Sequence, residues 1–178
     1  MCIRDRPIEW KTQRVILATV HRRENWGDRL KSIADGMLRV LNSHPDTVLL
    51  LPLHRNPTVR EPLQALLGTH PRVVLTEPLD YDRLVAAMKG CKLLLTDSGG
   101  LQEEAPALGK PVLVLRETTE RPEAVEAGTA RLVGTDPASI EREASLLLDD
   151  TDAYNAMAKA VNPFGAVSYT HLTLPTTD

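Results

Sequence analysis

The sequence is short of cysteine, of surplus positive charge and of long apolar runs, and each shortage removes a class of function. Only two cysteines occur, Cys2 and Cys91, in no metal-like spacing. That excludes a disulfide scaffold and fits a reducing compartment, so a cytoplasmic setting is expected. The formal net charge is -3. No electrostatic footprint for nucleic acid or an anionic membrane is present, and neither is expected as a partner. An anionic ligand would have to be held by local geometry. No apolar run approaches the roughly 20 residues that span a bilayer. The opening Met1-Cys2-Ile3-Arg4-Asp5-Arg6 lacks the apolar stretch of a secretory signal. Internal repeats and low-complexity linkers are missing as well.

What is present suits one domain. A chain of 178 residues with ordinary charged and apolar fractions reads as one soluble globular core. Both ends look foreign. The opening six residues, and the tail from Val167 to Asp178, resemble translated sequencing adapter. The expected division is therefore a flank and lead-in over 1–13, a domain over 14–166, and a foreign tail over 167–178.

Within the domain the pattern is strand, loop, helix, repeated. Val15–Thr19, Thr47–Leu53, Arg72–Thr76, Lys92–Thr96, Pro111–Leu115 and Ala130–Val133 are short apolar runs and predict strands. Leu30, Ile33, Ala34, Met37, Leu38 and Leu41 recur at spacings of three and four and predict a helix from about Asp28. Further helices are expected from Pro57 to about Leu67, with Pro62 as a first-turn or kink residue, over Tyr81–Lys89, and over Leu101–Leu108 closed by Gly109. Glu123–Ala127, Ser139–Leu148 and Asp152–Ala160 complete the set. Strands apolar on both faces, alternating with amphipathic helices, imply an α/β Rossmann-like doubly wound parallel sheet. Such sheets bind ligands at the carboxyl ends of their strands, so the loops there should carry the chemistry.

The loop after the first strand reads His21-Arg22-Arg23-Glu24-Asn25-Trp26-Gly27. Its arginine forks match phosphate oxygens, and its carboxylate can orient a neighbour. The alternative is a solvated charged loop. After the second strand, His54-Arg55-Asn56-Pro57 is a turn and helix start whose His54 and Arg55 reach either solvent or the same crevice. The fourth loop, Asp97-Ser98-Gly99-Gly100-Leu101-Gln102-Glu103-Glu104, is the most specific. Its two glycines let backbone approach a ligand, and the free N–H groups of the following helix favour phosphate. Ser98 adds a hydroxyl donor, and Glu104 can accept from the vicinal hydroxyls of a ribose. The alternative is a tight turn capped by Asp97 or Ser98, with the glutamates favouring the positive end of the helix. The fifth loop, Arg116 to Glu123, reads as a diphosphate clamp or as a surface ion-pair network. Arg121 precedes Pro122 and is expected to be extended.

These strings resemble the non-hydrolysing bacterial UDP-N-acetylglucosamine 2-epimerases. The resemblance rests on His21-Arg22-Arg23-Glu24-Asn25, on Asp97 to Leu113, on Thr118 to Gly128, and on the closing Asn162-Pro163-Phe164-Gly165, in that order along the chain. It implies the C-terminal half of a glycosyltransferase-B-type two-domain fold, which holds UDP in the cleft against an N-terminal domain that would be a missing partner. It also implies that Ser98, Gly99 and Gly100 take phosphate, Glu104 the ribose and Arg121 the diphosphate. Leu79 and Leu84 would hold the uracil. His21 would contact UDP and be the catalytic candidate of this half, and Arg22 and Glu24 the candidates for an allosteric UDP-GlcNAc site. The implied reaction interconverts UDP-GlcNAc and UDP-ManNAc by elimination and re-addition of UDP, in cell-envelope polysaccharide synthesis, with no cofactor and no metal. A family-like homodimer is implied for the full-length protein. The family's main acid/base carboxylates belong to the other domain, so this chain is expected to bind UDP weakly and not to catalyse alone. The alternatives are a glycosyltransferase donor domain, a non-catalytic nucleotide-sugar-binding module, and a hydrolysing epimerase.

Overall fold

A computed structural model of the chain describes residues 8–119 and 121–160. Residues 1–7 of the flank, the tail from 167, the Asn162-Pro163-Phe164-Gly165 string, the boundary at 166 and Glu120 lie outside the described residues. The elements alternate as expected: β1 Arg14–Thr19, α1 Asp28–Ser43, β2 Thr47–Pro52, α2 Pro57–Leu67, β3 Val73–Thr76, α3 Tyr81–Gly90, β4 Leu93–Thr96, α4 Gly99–Ala107, β5 Val112–Val114, α5 Pro122–Ala127, β6 Ala130–Leu132, α6 Pro137–Asp149 and α7 Thr151–Ala158. A short 3₁₀ turn, Arg23–Asn25, lies between β1 and α1.

Six parallel strands form one sheet in the order β3-β2-β1-β4-β5-β6. The two-residue period of a strand explains why each run is apolar throughout. Ile16, Ala18, Leu49, Leu51 and Leu95 pack on one face with α1, α2, α6 and α7. Val15, Leu17, Leu50, Leu94 and Val112 pack on the other with α3, α4 and α5. Burial of both faces orders the sheet, and hydrophobic area removed from water is the main stabilising term. No helix of the described residues is long and apolar enough to cross a membrane.

Local signals set the helix ends. Asn56 caps α2, its side-chain oxygen accepting from the Thr58 amide at 3.0 Å, and Asp136 caps α6 through the Ser139 amide at 3.0 Å. Pro62 sits inside α2 without ending it. Gly109, with φ of 72°, turns the chain out of α4 as expected. Two expectations need correction. α4 starts at Gly99 rather than Leu101, because glycine costs little in a first turn whose N–H groups lack helical partners. α6 starts at Pro137, where proline is pre-set for the first helical position.

The sheet order locates the site. The chain builds outward from β1 to β3, then returns to the other side of β1 with β4 and builds outward to β6. The strand order therefore reverses between β1 and β4. Their carboxyl ends are level, Thr19 opposite Thr96, with the two hydroxyls 2.6 Å apart. A crevice at this point is where doubly wound sheets take ligands.

Candidate functional site

Asp97 leaves the end of β4 fully buried. Its carboxylate accepts from the backbone N–H of His21, 3.2 Å from each oxygen. It also accepts from the N–H of Arg22 at 2.9 Å and from Asn25 Nδ2 at 3.0 Å. The His21 ring nitrogen Nδ1 lies 3.2 Å from the same carboxylate. Arg22 Nε donates back to the Asp97 carbonyl at 3.2 Å, and Asn25 Nδ2 reaches the Leu115 carbonyl beyond β5 at 3.1 Å. The first loop is thus built onto the fourth and fifth loops, with Arg23 and Glu24 exposed and His21 and Arg22 partly buried. The capping alternative for the fourth loop fails. Ser98 is the N-cap of α4 by position but makes no side-chain cap bond, and Asp97 spends its oxygens on the first loop.

The first turn of α4 holds Gly99 and Gly100, with Ser98 extended before it. Gly100 is exposed, and a Cβ there would meet nothing closer than Ser98 Oγ at 3.8 Å. Neither the backbone angle nor the surrounding packing therefore demands a glycine at this position. Gln102, fully buried, ties the turn to the fifth loop. Its Nε2 donates to the Ser98 carbonyl at 3.3 Å, and its Oε1 accepts from the Thr119 hydroxyl at 2.6 Å. Thr119 Oγ1 accepts in turn from the Arg121 N–H at 2.9 Å. This tight turn holds Arg121 at φ -124° and ψ 63°. The expectation of fully extended backbone before Pro122 is corrected accordingly.

A crevice of about 590 Å³ opens beside His21. Leu79 and Leu84 line it, and His54 and Arg55 line it from the second loop. The rings of His21 and His54 stack, centroids 6.0 Å apart and planes 16° apart. Of the sequence-predicted residues, His21, Leu79 and Leu84 line this crevice, while Ser98, Gly99, Gly100, Glu104 and Arg121 are not among its lining residues. Glu104 is half-buried one turn into α4. Burial first, and then the Glu103 charge, hold its carboxyl above the ordinary carboxylate value. Its charge also helps raise the Tyr81 phenol at the start of α3, after burial of that phenol. Arg121 pairs with Glu103. Glu24 pairs with the buried Arg116 at 2.9 Å and joins the first loop to the fifth. The ion-pair reading of the fifth loop thus describes the chain as it stands. Among the described residues, no group of three His, Cys, Asp or Glu side chains could hold a metal ion.

Sequence reasoning missed Asp97 and Gln102 as organisers. Asp97 showed only as a capping alternative, because its partners lie more than 70 residues away.

Residues 2–169 match the family described as UDP-N-acetylglucosamine 2-epimerase. The chain belongs to that family. It is 52% identical over 153 residues to a protein of Ralstonia solanacearum named probable UDP-N-acetylglucosamine 2-epimerase, a match covering 86% of this chain and 41% of the relative. A solved UDP-GlcNAc 2-epimerase from Neisseria meningitidis, bound to UDP-GlcNAc, is 45% identical with a TM-score of 0.85, over 93% of this chain and 44% of that one. A C-terminal domain of a group 1 glycosyl transferase from Francisella tularensis shares the fold alone, at 15% identity, TM-score 0.67 and 90% of this chain against 88% of that domain. The epimerase-family chain thus spans about two fifths of the length of such curated relatives. The α/β class stands as read from the sequence, and the likeness of fold extends to the glycosyl transferase C-terminal domain.

Proposed function

We propose that this chain is the UDP-holding half of a UDP-GlcNAc 2-epimerase. The observation that carries the reading is the assembly at the strand-order reversal. There His21, Leu79 and Leu84 line one crevice, and the Asp97 carboxylate ties His21 to the strand end from which the open first turn at Ser98, Gly99 and Gly100 departs. An exposed glycine that the fold itself does not require is explained by a ligand that approaches its backbone. The helix N–H groups and Ser98 Oγ take the phosphates. Glu104 accepts from the two ribose hydroxyls through a carboxyl whose pKa burial, and then the Glu103 charge, hold above the ordinary carboxylate value. Leu79 and Leu84 flank the uracil. Arg121 exchanges Glu103 for the diphosphate. Arg22 and Glu24 belong to an accessory nucleotide-sugar contact on the first loop.

In the reaction UDP leaves by anti elimination and gives a 2-acetamidoglucal. A proton returns to the opposite face at C2, and UDP adds back to give UDP-ManNAc. This half contributes retention of the departing diphosphate, which positioned donors stabilise as charge develops, and His21 faces the reacting sugar. The carboxylates that move the C2 proton belong to a preceding domain that closes over the crevice, in a cytoplasmic, dimeric enzyme of cell-envelope polysaccharide synthesis.

The test is conversion of UDP-GlcNAc by this chain alone and by this chain joined to the preceding domain of a relative. The expected result is no turnover alone and formation of UDP-ManNAc by the joined protein without any acceptor. Sugar transfer only when an acceptor is added would replace the epimerase reading with a glycosyltransferase.

A further inference from the structure

Asp97 does more than tie two loops together. Both of its oxygens face donors: the His21 N–H touches both, while the Arg22 N–H and Asn25 Nδ2 lie on Oδ2. Three donors on its two oxygens favour the ionised carboxylate, which has acceptors only. His21 Nδ1 lies 3.2 Å from Oδ1, an electrostatic contact; an N–H there is attracted to the carboxylate and a lone pair is repelled, which favours the hydrogen on Nδ1. That is the reverse of the tautomer a free imidazole side chain prefers in water. The ring is partly exposed and lines the crevice, and Nε2 is its nitrogen not held against Asp97.

We infer that Asp97 is a positioning residue that fixes His21 as the Nδ1–H tautomer, so that every proton His21 takes or gives passes through Nε2 at the crevice. What that nitrogen meets rests on the proposed function; the tautomer itself does not. A hydrogen-bonded partner at one imidazole nitrogen sets the role of the other in this way wherever a histidine works as an acid or base.

Counting donors predicts what Asp97→Asn does. The new amide has one acceptor oxygen and one NH₂. With NH₂ at the Oδ2 position it would oppose both the Arg22 N–H and Asn25 Nδ2. With NH₂ at the Oδ1 position it opposes only the His21 ring, because the His21 N–H can use the remaining oxygen. The second arrangement is favoured, and it forces Nδ1 to become an acceptor. The substitution therefore inverts the tautomer of His21 while keeping the first loop in place. A purely structural Asp97 would leave the tautomer alone.

The experiment is nitrogen-15 NMR of the imidazole rings in this chain, above the pH at which the ring protonates, with His21→Gln to assign the resonance among the five histidines. In wild type, Nε2 should resonate at the unprotonated position and Nδ1 at the protonated one. In Asp97→Asn the two positions should exchange, with the amide spectrum of the sheet unchanged. A wild-type ring found as Nε2–H overturns the inference, and so does a folded Asp97→Asn chain whose tautomer is unmoved. If Asp97→Asn does not fold, the wild-type spectrum decides alone. A chain with the expected tautomer that binds no UDP keeps this assignment and loses only the ligand.

Discussion

Asp97→Ala is the perturbation whose cost follows most directly from the geometry. It removes the acceptor for two backbone N–H groups, His21 and Arg22, and for Asn25 Nδ2, at 2.9 to 3.2 Å. A hydrogen bond to a charged group contributes about 1.5–3 kcal/mol, and a buried donor left without a partner costs about 1–3 kcal/mol. Asn25 keeps its bond to the Leu115 carbonyl, and water can enter beside the half-buried His21. The expected loss is therefore about 3–5 kcal/mol, set against a total of about 5–15 kcal/mol for a domain of this kind. The assay is urea denaturation of this chain, with Asp46→Ala as comparison. Asp46 is exposed and pairs with Arg14 at 2.8 and 2.9 Å, so its loss should cost about 0–1 kcal/mol. If Asp97→Ala were no more harmful than Asp46→Ala, Asp97 would not organise the site.

Three further predictions concern packing, acidity and reactivity. A Cβ on Gly36 would sit 2.9 Å from the Ile140 Cβ, where α1 meets α6. Gly36→Ala should lose about 1–3 kcal/mol to crowding and regain about 1 kcal/mol in helix propensity; Ile140→Ala removes the Cδ1 and Cγ2 contacts at 3.0 and 3.1 Å but keeps the Cβ one, so it should make Gly36→Ala less harmful without abolishing the cost, as a double-mutant cycle in urea will read. Glu104's carboxyl is held above its ordinary value by burial and then by Glu103. Its folded form binds a proton more readily than the unfolded form. That contribution to stability is present below the ordinary carboxylate value and is lost as pH rises through the raised one. Affinity for UDP runs the other way. It should fall on acidification as the acceptor protonates, and Glu104→Gln, titrated in parallel to correct for the nucleotide's own ionisation, should remove that part of the slope. Burial pushes the Cys91 thiol up to about 12. In a Cys2→Ser chain, a thiol reagent should therefore label Cys91 only as the chain unfolds, and rapid native labelling would contradict its burial.

Most of the fold was legible in the sequence because its signals are local. Six apolar runs, helical spacing such as Leu30-Ile33-Ala34-Met37-Leu41, and stops such as Gly109 are read within one element. The positions of His21, Ser98 and Glu104 followed from the same reading, since a doubly wound sheet puts the loops after its strands at one edge. What could not be read depends on distant partners. Asp97 looked like a helix cap because its sequence neighbours are a serine and two glycines, while the groups it holds belong to the first loop. Gln102 looked like one polar residue on a helix, while its amide joins Ser98 to Thr119 across two loops. The backbone of Arg121 followed a hydroxyl two residues back rather than the rule for residues before proline. Side chains that cross-link loops leave no periodic trace.

The most direct test of the central claim is calorimetric titration of this chain with UDP, beside Glu104→Ala. The account predicts saturable binding by wild type. It predicts a loss of about tenfold or more in the variant, since a charge-assisted hydrogen bond contributes about 1.5–3 kcal/mol and 1.4 kcal/mol is tenfold. Equal binding by the two chains, or no binding by a wild type whose circular dichroism shows a folded domain, would contradict it.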